Sequence, residues 1–376
     1  MIQAIGMQRY LRMDGSVQSV TGPVVDKKSI DMNKLDRRVA VAPMMDWTDR
    51  HCRYFLRGFS PRTLLYTEMI TAAAILRGDA QRLLAFDPEE HPVALQLGGS
   101  EPGELAEAAR RGEAAGYDEI NLNCGCPSDR VASGAFGACL MREPRRVAEC
   151  VAAMCRAVSV PVTVKMRIGV VGGARSSVAD ALQRYEEEDF VALREFVTLA
   201  SEAGSRVAIV HARKAVLGGL SPKDNREIPP LRYDVVRRLK ETFAGLPVIL
   251  NGGMRTVDAA MAALAWCDGV MLGREAYHRP ALLAELQRAL DPSSAAPTRE
   301  ALLERMAQYA ERRLAEGHSL GSITRHMLGL YAGEPGAREY RRMMSEGARK
   351  PGADAGLIRR AAAALRSPRE PGVSAA

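Results

Sequence analysis

From position 37 onward the apolar and polar residues follow two alternating rhythms. Short aliphatic or β-branched runs fall at 39–42, 63–67, 93–97, 119–122, 162–165, 207–210, 248–250 and 269–272. Between most of them lie longer stretches with helical patterning, at 48–57, 71–77, 101–115, 145–158, 189–203, 233–243 and 257–265. The short runs predict strands and the longer stretches helices. Strand–helix alternation predicts an α/β fold with a parallel sheet, and eight units predict closure into a (β/α)8 TIM barrel. An open doubly wound sheet is the competing architecture, but one open sheet rarely needs eight such units.

The rhythm also sets boundaries. Residues 1–36 lack it and read as a flexible polar extension. The barrel is expected over 37–290, followed by a Pro- and Ser-rich linker at 291–297. From 298 to 366 the pattern is helical, with breaks at 317–319, 333–336 and 351–352, which predicts a small bundle of three or four helices. Residues 367–376 read as a disordered tail. The stretch 170–190 reads as a solvated loop insertion after the fifth strand.

Polar residues gather at one end of the strand candidates. They are Pro43-Met44-Met45, Glu68, Gln96, Asn121 and Asn123, Lys165 and Arg167, His211 and Arg213, Asn251-Gly252-Gly253, and Gly273-Arg274. In a barrel these C-terminal strand ends converge on the face that carries chemistry. The glycines after strands seven and eight suit a phosphate, because backbone N–H groups can approach it closely and Arg274 adds a charged donor pair. Lys165 and Arg167, two residues apart, share one side of a strand. A buried lysine there needs an anionic partner, and Glu68 or Asp118 are the alternatives to a ligand.

Composition adds limits. The chain has 376 residues, 47% hydrophobic and 26% charged, as in ordinary globular proteins. No apolar run approaches ~20 residues, so no membrane span is expected, and the N-terminus lacks the apolar core of a secretory signal. Seven cysteines, an odd number without a small-domain framework, point to a reducing cytoplasm. The net charge of +7 permits a polyanionic partner without requiring one.

The stretch Asn121-Leu-Asn-Cys-Gly-Cys-Pro-Ser-Asp-Arg130 is the densest in chemistry. Cys126 follows a strand and precedes Pro127, which holds it on an extended turn in an irregular loop. Cys124 and Cys126 form C-x-C, but no further His or Cys stands at metal-ligand spacing, so no metal is expected. Buried inert thiols account better for Cys52, Cys139, Cys150, Cys155 and Cys267. A basic segment runs from Lys214 to Lys240. A solvated helix face explains Arg237, Arg238 and Lys240, whereas Lys223 and Arg226 stand in a proline-bounded loop suited to a phosphate backbone.

Ala42-Pro-Met-Met-Asp-Trp-Thr-Asp-Arg50, Leu65-Tyr-Thr-Glu-Met69, Pro92-Val-Ala-Leu-Gln-Leu-Gly-Gly99, the Asn121–Arg130 stretch, Lys165-Met-Arg167, His211-Ala-Arg-Lys214, Asn225-Arg-Glu-Ile-Pro-Pro-Leu231, Asn251-Gly-Gly253 and Gly273-Arg-Glu-Ala-Tyr277 occur in order. Together they resemble the tRNA-dihydrouridine synthases, most closely the bacterial A subfamily that acts on D-loop uridines 20 and 20a. The resemblance spans about 37–365. It implies a flavin-bearing barrel, a C-terminal helical tRNA-binding domain, FMN as cofactor and NADPH as reductant. tRNA is the implied partner, with neither membrane nor metal, and a monomer is expected.

Carried over by position, Pro43, Met44 and Met45 line the flavin, Gln96 and Lys165 bond its ring, and His211 lies near both flavin and base. Asn251, Gly252, Gly253, Gly273 and Arg274 hold the phosphate region. Asn123, Lys223, Arg226, Arg338 and Arg341 contact tRNA. Cys126 is the implied acid: hydride delivered to uracil C6 leaves charge toward C5, and an ordinary thiol (pKa ~8.5) has a proton to give. The longer 170–190 loop and the second thiol, Cys124, depart from the family pattern. A flavin barrel reducing a free pyrimidine is the main alternative, and it leaves the C-terminal helices and Lys223/Arg226 without a role.

Overall fold

The computed structural model describes residues 35–128, 136–172, 184–218, 220–295 and 297–366. The tail expected at 367–376 lies outside these, as do all but the last two residues of the 1–36 extension and most of the 170–190 loop. All eight expected strands form: β1 (Val39–Val41), β2 (Leu64–Thr71), β3 (Val93–Gly98), β4 (Glu119–Cys124), β5 (Val162–Arg167), β7 (Ala208–His211), β9 (Val248–Asn251) and β10 (Gly269–Leu272). They close into one parallel barrel in the order β1-β10-β9-β7-β5-β4-β3-β2. The open-sheet alternative is thereby excluded.

The sequence reading missed a two-stranded parallel sheet of β6 (Val170–Val171) and β8 (Ala215–Val216) beside the mouth. Each strand has only two residues, too short for a hydrophobic period to register. Helices Arg50–Arg57, Ala72–Arg77, Pro102–Ala114, Pro144–Ala157, Glu187–Glu202, Tyr233–Thr242 and Val257–Leu264 cover the barrel.

After residue 298 come helices Arg299–Ala315, Leu320–Thr324, Ala337–Glu346 and Gly356–Arg366. The expected breaks coincide with Gly317, Gly333, Gly336 and Gly352, all at positive φ, where a side chain is strained. These helices and the described residues of the barrel belong to one compact unit. Tyr54 stacks on Tyr309 with ring centroids 3.9 Å apart, and Arg313 pairs with Asp87 at 2.8 Å. Asp49 caps helix Arg50–Arg57 by accepting from the His51 and Cys52 amides, and also accepts from Arg325 at 2.5 Å and His326 at 3.0 Å. Burial alone would raise the Asp49 carboxyl, but these bonds win and hold it well below the usual range.

His51, buried at the same junction, shares a 2.8 Å hydrogen bond with the Tyr309 hydroxyl. Burial pulls its imidazole down to about 3 from the usual 6.5. Below pH 6.5 the unfolded chain takes up a proton that folded His51 refuses, so stability falls with acidification. At pH 5 the loss is about 2 kcal/mol, from ~1.4 kcal/mol per pH unit. Denaturant titrations at pH 7.5, 6 and 5 check this: the fall should shrink by that amount in His51→Asn, whose amide can still reach Tyr309.

Candidate active site

Side chains alternate across a strand, so residues two apart on β4 and β5 face the barrel interior together. On β4 these are Glu119, Asn121 and Asn123, and on β5 Thr163, Lys165 and Arg167. The register pairs Asn121 with Thr163, Asn123 with Lys165, and Gln96 with Asn121. Arg167 lies beside His211, and His211 beside Asn251.

Cys126 sits just past the end of β4 and is half-buried. The Asn123 Oδ1 accepts from the Gly125 amide at 3.1 Å and the Cys126 amide at 3.0 Å, while Ala138 donates to the Cys126 carbonyl at 2.8 Å. These bonds fix the loop on both sides. The thiol lies 3.5 Å from the Ser128 hydroxyl. It is also within electrostatic reach of Lys165, Arg167 and Arg226. Cys124 is fully buried in the core, and burial pushes its thiol up, so it faces away from this chemistry. All seven cysteines are free.

Lys165 donates to Asn251 Oδ1 at 3.0 Å, and Asn251 in turn donates to the Met271 carbonyl at 2.8 Å. Neither acid considered as its partner is used. Glu68 accepts from the Asp46 amide, and Asp118 from His91 and the Val93 amide. Burial, then the neighbouring Arg167, lowers the ammonium to about 7. Burial also lowers Arg167 to about 9, and its side chain spans the mouth by donating to the carbonyls of Gly125 at 3.2 Å and Asn225 at 3.0 Å. Burial, reinforced by Arg167 and Lys165, keeps His211 well below its usual value and therefore neutral. Among the described residues no carboxylate is hydrogen-bonded to Lys165, Arg167 or His211, so a guanidinium, an ammonium lowered by burial and a neutral imidazole make a site that favours an anion.

Gly252 and Gly253 have φ of 110° and 75°, and a Cβ on either would meet His211 at 2.6 Å or the Tyr233 hydroxyl at 2.3 Å. A Cβ on Gly273 would meet nothing within 4 Å, so its backbone faces open space. Arg274 pairs with Glu227 at 2.5 Å, near Arg213 and Arg226. On the β1 side, Met44 bonds Thr48 through its amide and carbonyl, which closes the turn carrying Pro43 and projects Met45 outward at 56% exposure. Gln96 is nearly all used inside the barrel. It donates to Asn121 at 2.7 Å and accepts from Asn123 at 2.8 Å, leaving one amide hydrogen free.

The residues expected to touch RNA divide. Lys223 and Arg226 are exposed at the mouth, on a loop pinned by buried Asn225, which bonds both the amide and the carbonyl of Val216. Arg338 and Arg341 are exposed on helix Ala337–Glu346. Asn123 instead points inward and is 8% exposed. The sequence reading missed Asn225 and Thr163. Thr163 had a signal, since it shares the inward face of Lys165 and Arg167. The grip of Asn225 on its own loop had none.

No group of three or more His, Cys, Asp or Glu among the described residues is arranged to hold a metal ion. No helix among them is long and apolar enough to cross a membrane.

Residues 40–366 match the family Dihydrouridine synthase (Dus). The chain is 53% identical over 333 residues to the tRNA-dihydrouridine(20/20a) synthase of Xanthomonas axonopodis pv. citri, covering 89% of this chain and 95% of that one. It is 55% identical over 312 residues to the enzyme of that name from Pseudomonas aeruginosa, covering 83% and 90%. The corresponding protein of Escherichia coli K12 is 52% identical over 328 residues, covering 86% and 90%. A match across the whole barrel and the helices after it, with half the residues identical to such relatives, means that this chain belongs to the dihydrouridine synthase family.

Proposed function

We propose that this protein reduces the C5=C6 bond of uridines 20 and 20a in the D loop of tRNA, with FMN as cofactor and NADPH as reductant, in the cytoplasm. The observation that carries the reading is Cys126 held at the barrel mouth beside a cationic, carboxylate-poor pocket that ends in two glycine turns, one of them open at Gly273. Those residues fit a flavin mononucleotide. Among the described residues Lys165 bonds only the neutral Asn251, so it would supply a cation to an electron-rich ring edge, with the neutral His211 close by. Gly273 leaves its backbone open to a phosphate, the tightly packed turn at Gly252 and Gly253 lies beside it, and Arg274 would be the charged donor. Asn251 orients Lys165, Gln96 retains one donor, and Pro43, Met44 and Met45 wall the ring. When bound and reduced, the flavin supplies hydride to uracil C6.

The Cys126 thiol then gives its proton to C5, and the two bonds from Asn123 keep the thiol's backbone in place while it does so. Arg167 and Arg226 stabilise the thiolate left behind. The target base must leave its stack to reach this depth. Lys223 and Arg226 at the mouth, with Arg338 and Arg341 on the helical domain 298–366, would hold the phosphate backbone. Incubating the protein with FMN, NADPH and unmodified tRNA, then mapping dihydrouridine by mass, tests the reading. Product at 20 and 20a supports it, and reduction of free uridine in preference to tRNA would refute it.

Lys165→Met should weaken FMN affinity by about ten- to a hundredfold, the worth of a charge-assisted hydrogen bond. Because free Lys165 sits at about 7, binding takes up a proton at higher pH. Wild-type affinity should therefore fall from pH 7 to 9, and that of Lys165→Met should not. Quenching of flavin fluorescence reads both.

A further inference from the structure

We infer that Glu119, on the floor of the barrel, is a positioning residue for the proton donor: its acceptor-only carboxylate sets the direction of a hydrogen-bond chain that ends on the Cys126 loop. The inference rests on the acid role proposed for Cys126.

Glu119 opens β4 and is fully buried. Arg37 grips its Oε2 at 2.6 and 3.1 Å. Its Oε1 accepts from the Tyr66 hydroxyl at 2.6 Å and the Thr163 hydroxyl at 2.6 Å. Thr163 accepts from Asn121 Nδ2 at 2.9 Å, and Asn121 Oδ1 accepts from Gln96 Nε2 at 2.7 Å. Gln96 Oε1 accepts from Asn123 Nδ2 at 2.8 Å, which leaves Asn123 Oδ1 for the amides of Gly125 and Cys126. The side chains linking floor to loop, Thr163, Asn121, Gln96 and Asn123, are all buried, so bulk water is a poor substitute for any link.

Each carboxamide in this chain could sit either way round. The ends decide. A carboxylate cannot donate, so Thr163 must give its only proton downward and can receive only from above. That choice turns Asn121, then Gln96, then Asn123, over roughly 13 Å of strand at ~3.3 Å per residue. At the top, the carbonyl of Asn123 meets two N–H groups. Were the order reversed, an NH2 would face them and both bonds would be lost. The floor pair thus supports the loop that carries the thiol, without touching it.

Glu119→Gln tests this. Arg37 would hold the new carbonyl, turning the NH2 toward Thr163, so the Thr163 proton must go upward and the chain reverses. In the flavin-loaded full-length variant, amide exchange of the peptide spanning Gly125 and Cys126 should speed up about tenfold or more. Single-turnover reduction of tRNA by the flavin-loaded variant should slow by about ten- to a hundredfold, with KM for tRNA unchanged. Wild-type exchange in folded Glu119→Gln would overturn the proposal. If that variant does not fold, Thr163→Val carries the same test without a change of charge. It should show the same two effects and Thr163→Ser should restore both, whereas equal behaviour of Val and Ser would overturn it. The exchange readout needs neither tRNA nor turnover. If Cys126 proves dispensable for reduction, the acid assignment falls while the chain itself is still judged.

Discussion

Cys126→Ala should retain its flavin and lose about 10²- to 10⁴-fold of its dihydrouridine-forming rate, the contribution of a positioned general acid. Three features bear on the expectation. The thiol is half-buried at the mouth, the loop is fixed by bonds on both sides of residue 126, and among the described residues the sulfur lies at hydrogen-bond distance from Ser128 and from no flavin-facing side chain. Absorbance of the bound flavin and mass analysis of the product nucleosides check the two halves separately. Cys124→Ala is the informative companion. Its sulfur lies in the core, so it should lower stability without changing single-turnover chemistry. An unchanged rate in Cys126→Ala would remove the proton source from the mechanism.

How much of this was visible in the chain alone depends on what made each feature. Most of the staves were legible because a closed parallel barrel is buried on both faces, so its strands show as aliphatic runs, with β4 as the alternating exception. The polar strand ends were legible for the converse reason: Lys165, His211 and Asn251 interrupt such runs where packing alone would not place them. The interior of the barrel was only half legible. Asn121 and Asn123 stood out, but Glu119 belongs to the same two-residue period and reads like an ordinary strand-start carboxylate until Arg37 and Tyr66 are seen around it. The inward turn of Asn123 was not legible, since it depends on Gln96 from another strand. The union of barrel and helices was also hidden, because it is built from residues more than two hundred positions apart, such as Asp87 with Arg313. No local pattern encodes such a pairing.

Beside that union, on the barrel side, lies the ground for the second large expectation, in Arg53→Met. Residues 87–90 carry three acids, each on a different arginine or group of arginines. Asp87 meets Arg313, Glu89 meets Arg305 and Arg312, and Glu90 meets Arg53 at 2.7 Å. Only the last pair is almost wholly shut off from water, with Arg53 also donating to the Thr48 carbonyl at 2.8 Å at the start of the turn into helix Arg50–Arg57. Removing one partner of such a pair leaves an uncompensated buried charge and costs about 3–5 kcal/mol. Burial already holds Glu90 above its ordinary value, with Arg53 pulling against it. In Arg53→Met that restraint is gone and the carboxyl rises further. A carboxyl raised on folding stabilises the folded state at low pH and loses that contribution as pH climbs through its folded value. The variant should therefore recover part of its deficit as pH falls from 8 toward 6, measured by denaturant unfolding. Over that range His51 gives the wild type no gain, so a deficit that stays constant with pH would show that Glu90 does not feel the loss of Arg53.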